Sequence, residues 1–383
     1  MTSVIAAAGV CAPGSPSPGW VAIDAGVIVE AGSGQVPSGA VDLGSVLLAP
    51  GFVDLQVNGV GDVDFATADH DGWRRAGRAQ LEHGVTAYFP TLVTAPPDEY
   101  APALERVQAA RADAEHRRLP AIVGAHLEGP FLGGAPGAHP VALLRTADCE
   151  WLRGIVDAYP DLVAIVTLAP EADPGLSATQ MLNERGVTVA LGHSTATYDD
   201  ARAAADAGAR LVTHLFNGMG PLHHREPGLA GAALDDDRLT PTLIADLVHV
   251  HPAALRLAID RKPNVALVTD RVAVSSGATA DVGTPRLADG TLLGSTLSMD
   301  AAVRNTVGLG LPVERAVEMA ATVPARAVGL ADRGHIAAGA RADLVAIDPD
   351  SLTVRGVWLG GEQVVGLDGR SSSRTSGRAR PRP

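Results

Sequence analysis

Residues 186–220, GVTVALGHSTATYDDARAAADAGARLVTHLFNGMG, hold a short apolar run, an alanine-rich stretch and a second apolar run. Residues 187–191 and 211–214 have the length and composition of buried strands. Between them, 197–209 reads as a helix. Asp199 and Asp200 stand near its start, where the macrodipole favours negative charge, and Gly208 stands where a helix stops. Strand, helix and strand in such close succession make a parallel βα unit.

The pattern recurs on both sides. Runs at 121–125, 163–168, 243–245 and 265–268 read as further strands separated by helix-like stretches. The middle of the chain is therefore expected to form an α/β fold of the TIM type, a (β/α)8 barrel spanning 50–334. The ends differ. Residues 21–30 and 46–48 near the start, and 343–347 and 356–359 near the end, are short β runs set among turn residues. They predict one small β-sandwich domain built from both termini, 1–49 and 335–370. The Ser, Arg, Gly and Pro of 371–383 predict a disordered tail.

With 383 residues and 46% hydrophobic content, the chain can bury a large core, which excludes disorder for its body. A net charge of −13 argues against general nucleic-acid binding, which needs a basic face. A local basic pocket could still hold an anion. Cys11 and Cys149 are too few for a disulfide framework or a thiolate metal site. No apolar run reaches the roughly 18 residues of a membrane span, and the start has no basic region before an apolar stretch. The expected setting is the cytoplasm, away from membranes.

Parallel barrels place chemistry at the C-terminal ends of their strands. The polar residues there are Glu128, Glu171, His193, Ser194, His214, Asn217, Asp246, His249 and Asp270. A carboxylate with two imidazoles suits Zn²⁺ or Fe²⁺, so Glu128, His193 and His214 are the candidate metal ligands. Three protein ligands leave a coordination position for water, and Asp270 is the candidate general base. A single histidine at a strand end is more often an ordinary hydrogen-bonded residue. The combination at four separate strands is what makes a site.

Five local motifs then follow in order: His126-Leu127-Glu128-Gly129-Pro130-Phe131, Gly192-His193-Ser194-Thr195-Ala196-Thr197, Thr213-His214-Leu215-Phe216-Asn217-Gly218-Met219, Arg225-Glu226-Pro227-Gly228 and Val268-Thr269-Asp270. Together the set resembles the N-acetylglucosamine-6-phosphate deacetylases of the amidohydrolase superfamily, over about 50–345 and including Pro324-Ala325-Arg326-Ala327. The resemblance implies hydrolysis of the acetamide of an N-acetyl amino-sugar phosphate.

Position by position, it implies Glu128, His193 and His214 as metal ligands and Asp270 as the catalytic aspartate. His139 is implied to polarise the acetyl carbonyl, and Asn217 with the Gly218 backbone to hold phosphate. Arg225 is implied to reach the phosphate from the neighbouring subunit of a homodimer. His249 and Met299 are implied to lie against the sugar, although a methionine after a strand is otherwise ordinary core packing. Guanidinium suits phosphate, and a metal with an imidazole suits a tetrahedral oxyanion.

Many superfamily members carry His-x-His on the first strand, whereas this chain has Gln56-Val57-Asn58. Gln and Asn are weak ligands, so one divalent metal per subunit is expected, with Gln56 and Asn58 in a hydrogen-bonded barrel layer. Arg271 follows Asp270 where the family usually has a small residue. It either aims away from the metal, as strand neighbours do, or turns inward to pair with Asp270 or an anionic substrate. His223, His224 and His251 read as loop or surface residues near the site, and His70, His83, His116 and His335 as structural or solvent-facing. The substrate alternatives are the galactosamine epimer and an unphosphorylated N-acyl amino sugar.

Overall fold

The computed structural model describes residues 2–11, 17–274 and 284–367; the expected tail at 371–383 lies outside them. Eight parallel strands form the central sheet: Phe52–Val57, Val85–Val93, Ala125–Glu128, Val163–Leu168, Thr188–Leu191, Ala209–Val212, Thr240–Ile244 and Ala266–Val268. Each pairs with the next in chain order. The ring closes where the Asn58 and Gly59 N–H groups donate to the Arg271 carbonyl at 2.7 and 3.0 Å. The Asp270 N–H adds a bond to the Gln56 carbonyl at 2.9 Å. A helix follows every strand: His70–Glu82, Pro97–Arg117, Cys149–Ala158, Ser177–Glu184, Tyr198–Ala207, Gly228–Asp235, Pro252–Arg261 and Met299–Gly308. This is the expected TIM-type (β/α)8 barrel.

The strands are near-continuous apolar runs because helices cover them on one side and the barrel core fills the other. The helix expected at 197–209 occupies Tyr198–Ala207. The Thr197 side chain accepts from the Asp200 N–H while the Asp200 carboxylate accepts from the Thr197 N–H, a reciprocal cap on the first turn. Gly208, at φ +122°, ends it.

Both termini build the second domain. Its strands hydrogen-bond in the order Glu362–Val365, Val354–Leu359, Leu344–Ile347, Leu47–Pro50, Ser3–Val10, Ser17–Asp24, Val27–Ser33. The sheet doubles over: the Ile28 N–H donates to the Ala340 carbonyl at 2.8 Å, and the Gly339 N–H to the Ile28 carbonyl at 2.9 Å. Ile5, Val21, Ile23, Leu48, Leu344 and Trp358 fill the resulting interior. The alternate residues Val345, Ile347, Val357 and Val365 belong to the barrel core instead. The continuous β run read at 21–30 is two strands. Ala25 and Gly26, both at positive φ, make a two-residue hairpin turn inside it. Among the described residues no helix is long and apolar enough to cross a membrane.

Candidate active site

Each barrel strand except the fourth sends a residue from its C-terminal end, or just beyond it, into one pocket of about 550 Å³. Asn58, Val93, Glu128, His193, His214, His249 and Asp270 come from strands one, two, three, five, six, seven and eight. His193, His214 and Asp270 hold left-handed backbone, with φ of +49°, +31° and +46°. Non-glycine residues pay conformational strain there, and the turn re-aims each side chain across the barrel mouth.

Glu128 is the hub. Its Oε1 lies 3.1 Å from His193 Nε2 and 3.1 Å from His214 Nε2, and the two imidazole nitrogens are 3.1 Å apart. Each ring has a backbone carbonyl at its other nitrogen: Ala135 O, 3.2 Å from His193 Nδ1, and Asn217 O, 3.2 Å from His214 Nδ1. A carbonyl only accepts, so both Nδ1 atoms carry protons and both Nε2 lone pairs face the carboxylate. Three electron-rich atoms this close need a cation or a shared proton among them. Donors about 2.0–2.2 Å from a tetrahedral ion sit roughly 3.3–3.5 Å apart, close to this spacing. A second grouping overlaps it: ligand atoms of Glu128, His139 and His193 all lie within 4.8 Å of one another. His139 Nε2 is 4.0 Å from Glu128 Oε2, so its place is at the rim of the set.

The electrostatics follow. Burial opposes a charge on Glu128, yet a proton shared with its Oε1 by His193 or His214 holds its carboxyl well below the ordinary range. Burial also opposes a charge on His214, but the Glu128 carboxylate outweighs it and raises that imidazole. His139 is pushed down to about 3, chiefly by burial, and is neutral. Asp270 is pushed up to about 7 by burial and by the Glu128 charge. The amides expected to form a polar layer do so: Gln56 Nε2 donates to Glu128 Oε1 at 2.9 Å and to Asp270 Oδ1 at 3.2 Å. Asn58 Nδ2 donates to Asp270 Oδ1 at 2.8 Å.

Residues 47–364 match the amidohydrolase family model. The chain belongs to the amidohydrolase family. N-acetylglucosamine-6-phosphate deacetylase of Mus musculus is 40% identical over 350 residues, covering 84% of this chain and 84% of that protein. N-acetylgalactosamine-6-phosphate deacetylase of Escherichia coli O157:H7 is 38% identical over 344 residues, covering 85% and 90%. A mutant N-acetyl-D-glucosamine-6-phosphate deacetylase of Mycobacterium smegmatis, solved with N-acetyl-D-glucosamine-6-phosphate, superposes with a TM-score of 0.85 at 36% identity, covering 94% of this chain and 99% of that one.

In this amidohydrolase the other expected residues divide into three groups. His139, Asn217, Gly218 and His249 line the pocket. The Thr94 hydroxyl is 2.8 Å from His139 Nδ1, and Asp246 Oδ2 is 2.7 Å from His249 Nδ1. Gly218, at φ +56°, sits so close to His193 that a Cβ would be 2.7 Å from its Nδ1. Arg225 is exposed, touches His224 Nε2 at 2.8 Å and does not line its own chain's pocket.

Met299 is corrected: it is fully buried in the barrel core at the first turn of its helix and lies outside the pocket lining. An apolar side chain at the start of a barrel helix packs inward against the strands. Arg271 takes the outward course. It is half-buried, with the charges of Asp54 and Asp300 acting on it, and its guanidinium makes no hydrogen bond or ion pair with Asp270. His223, His224 and His251 stay off the pocket, and the His251 side chain caps the helix Pro252–Arg261.

Sequence reasoning missed the pairing of Thr94 with His139, and also the segment 286–294, which brings Arg286 to the pocket wall. Arg286 is held by the Gly290 carbonyl at 2.7 Å. Thr94 directly follows the second barrel strand, which sequence reasoning did not pick out, and no strand end marks residues 286–294.

Proposed function

We infer that this amidohydrolase removes the acetyl group of N-acetyl-D-glucosamine 6-phosphate, giving glucosamine 6-phosphate and acetate in amino-sugar catabolism. The observation that carries this reading is the mutual 3.1 Å approach of Glu128 Oε1, His193 Nε2 and His214 Nε2 beside a carboxylic acid, Asp270, tuned to about 7. The donor set fits one divalent ion per chain, zinc or iron(II), held by those three residues. Gln56 and Asn58 donate hydrogen bonds to the acids around it, which supports a single ion.

A bound ion supplies Lewis-acid polarisation of the acetyl carbonyl and acidifies a neighbouring water. Asp270 takes a proton from the attacking water as the water oxygen bonds to the acetyl carbon, and delivers it to the amide nitrogen as the C–N bond breaks. We assign the tautomer in which His139 Nδ1 accepts from the Thr94 hydroxyl, 2.8 Å away. His139 Nε2 therefore carries the ring's single N–H into the pocket, where it stabilises the acetyl oxygen. His249, fixed by Asp246, meets the sugar; Asn217 and the Gly218 N–H meet the phosphate.

Arg225 completes the phosphate site of a second copy in a homodimer. Its absence from its own pocket supports this arrangement. So do Val141, Leu222 and Val248, apolar and exposed in the loops that carry His139, Arg225 and His249. The proposed setting is the cytoplasm, because a sugar phosphate is a charged metabolite that does not cross membranes unaided.

The E. coli relative favours a second reading, the galactosamine epimer. Acetate release from N-acetylglucosamine 6-phosphate, from its C4 epimer and from the unphosphorylated sugar, measured side by side, tests both. The highest kcat/KM for the first substrate is expected. Release from the unphosphorylated sugar alone would overturn the phosphate assignment.

A further inference from the structure

The fourth barrel strand, Val163–Leu168, contributes nothing to the pocket lining among the described residues, although every other strand does. What stands just beyond its C-terminal end is Glu171, and its carboxylate gathers four donors. Oε1 accepts from the Gly134 N–H at 3.1 Å, the Thr195 N–H at 2.7 Å and the Thr195 hydroxyl at 3.3 Å. Oε2 accepts from the Ser194 hydroxyl at 2.6 Å. A carboxylate offers about four lone-pair sites and no proton, so this set suits it fully.

Those donors lie on two loops. Gly134 belongs to the segment that follows strand three and ends at His139. Ser194 and Thr195 directly follow His193. The loops are stitched further: the Gly133 N–H donates to the His193 carbonyl at 2.8 Å, and the Ala135 carbonyl is the partner of His193 Nδ1 at 3.2 Å. Ser194 then reaches the third loop, its N–H donating to the Gly218 carbonyl at 3.0 Å. The fit leaves no slack. A Cβ on Gly133 would overlap Glu171 Oε1, and a Cβ on Gly134 would lie 2.5 Å from Thr195 Oγ1.

We propose that Glu171 is a positioning residue for the metal centre: it clamps the 133–139 loop to the His193 strand end, so that the Ala135 carbonyl fixes the His193 ring. The inference rests on the metal reading above. A ligand imidazole is oriented by the acceptor at its other nitrogen, and loss of such support weakens metal affinity or activity by about 10–100-fold. Here the acceptor is a loop carbonyl, and the Glu171 carboxylate, bonded to the N–H of the preceding residue Gly134, holds that loop in place. The same clamp places His139.

The test is Zn²⁺ affinity by chelator competition, with the visible spectrum of the Co²⁺-loaded protein as a second readout. Glu171→Ala should weaken Zn²⁺ binding by about 10–100-fold and change the Co²⁺ ligand-field bands. Glu171→Gln keeps one oxygen for Gly134 and Thr195, and the Ser194 hydroxyl can turn to accept from the amide. It should stay within several-fold of wild type, a rescue that loss of general folding would not show. Should Glu171→Ala fail to fold, Gly133→Ala pushes the loop off the same carboxylate and should lower affinity in the same direction. Wild-type affinity and spectrum in the alanine variant, or in Gly133→Ala when that is the one that folds, would overturn the clamp. A wild-type chain that binds no ion would instead overturn the metal reading, and the proposal with it.

Discussion

The Asn58 side-chain amide donates to the Asp270 carboxylate at 2.8 Å, joining the first strand of the barrel to the last at the point where the ring closes. This bond favours the charged carboxylate and so opposes the burial and Glu128 charge that raise Asp270 to about 7. Asn58→Ala should therefore raise the Asp270 pKa further, moving the acid limb of the kcat/KM–pH profile to higher pH. A hydrogen bond to a charged group is worth about 1.5–3 kcal/mol, which corresponds to a shift of roughly one to two pH units. An unmoved or lowered limb would contradict the assignment of Asp270 as the base.

Asp270→Asn keeps the shape and removes the proton acceptor. Turnover should fall at least about a hundredfold, since general acid–base help is typically worth 10²–10⁴. Metal content should remain near one ion per chain. Near-normal turnover would remove Asp270 from the mechanism.

Arg225→Ala should raise KM for the phosphorylated sugar sharply, by tenfold or more, and leave an unphosphorylated one nearly unaffected. Because Arg225 is proposed to act on the other subunit, coexpression with Asp270→Asn provides a sharper check. A mixed dimer regains one site holding both an intact Asp270 and a partner's Arg225. Activity well above either variant alone is expected; no recovery in mixed dimers would place Arg225 elsewhere.

Metal removal by a chelator should abolish acetate release and lower the melting temperature, with both restored by one equivalent of Zn²⁺ or Fe²⁺. A ligand at a hundred times its Kd stabilises the native state by about 2.7 kcal/mol. Glu128→Gln should bind the ion more weakly and lose most of that stabilisation. Two ions per chain in the wild type would be incompatible with Gln56 and Asn58 as hydrogen-bond donors.

Asp54 is fully buried, and burial pushes its carboxyl up to about 6 against hydrogen bonds from the Thr269 hydroxyl at 2.5 Å and the Thr269 and Gln56 N–H groups. A carboxyl raised in the folded state binds more protons there than in the unfolded chain. Its contribution to stability falls as pH rises from about 4 to about 6, and the penalty persists above that. Asp54→Asn should flatten this slope, worth on the order of 2–3 kcal/mol across the window. Its Oδ1 can still accept from both N–H groups, and its amide can donate to Thr269 Oγ1. An unchanged slope in urea melts at pH 4.5 and 7 would show that Asp54 is charged in the folded protein.

Much of this architecture is legible along the chain because the barrel strands are bounded apolar runs and the helix at 198–207 carries its own cap and stop. The second barrel strand, Val85–Val93, is less so: Pro90 sits inside it, and proline argues against a central strand. Here the ladder tolerates it between Thr86 and Thr91, which are buried with their neighbours. Glu128, His193, His214 and Asp270 could be chosen because each stands at a strand end. Thr94, Glu171 and Arg286 could not be given partners, since those partners lie on loops whose path depends on the assembled barrel. Met299 was misplaced for a related reason: an apolar residue beside a site and one beneath it look alike in sequence.

Pairing of Leu47–Pro50 with Leu344–Ile347 has a consequence for how the protein is made. The segment that leads into the first barrel strand can pair early with Ser3–Val10 along one edge, but its other edge has no partner until nearly the whole polypeptide has left the ribosome. The apolar patch later covered by Val345, Ile347, Val357 and Val365 stays open throughout that interval. Nascent chains stalled before residue 344 should therefore be held by chaperones or aggregate, whereas release of the last strands lets both ends lock together in one step.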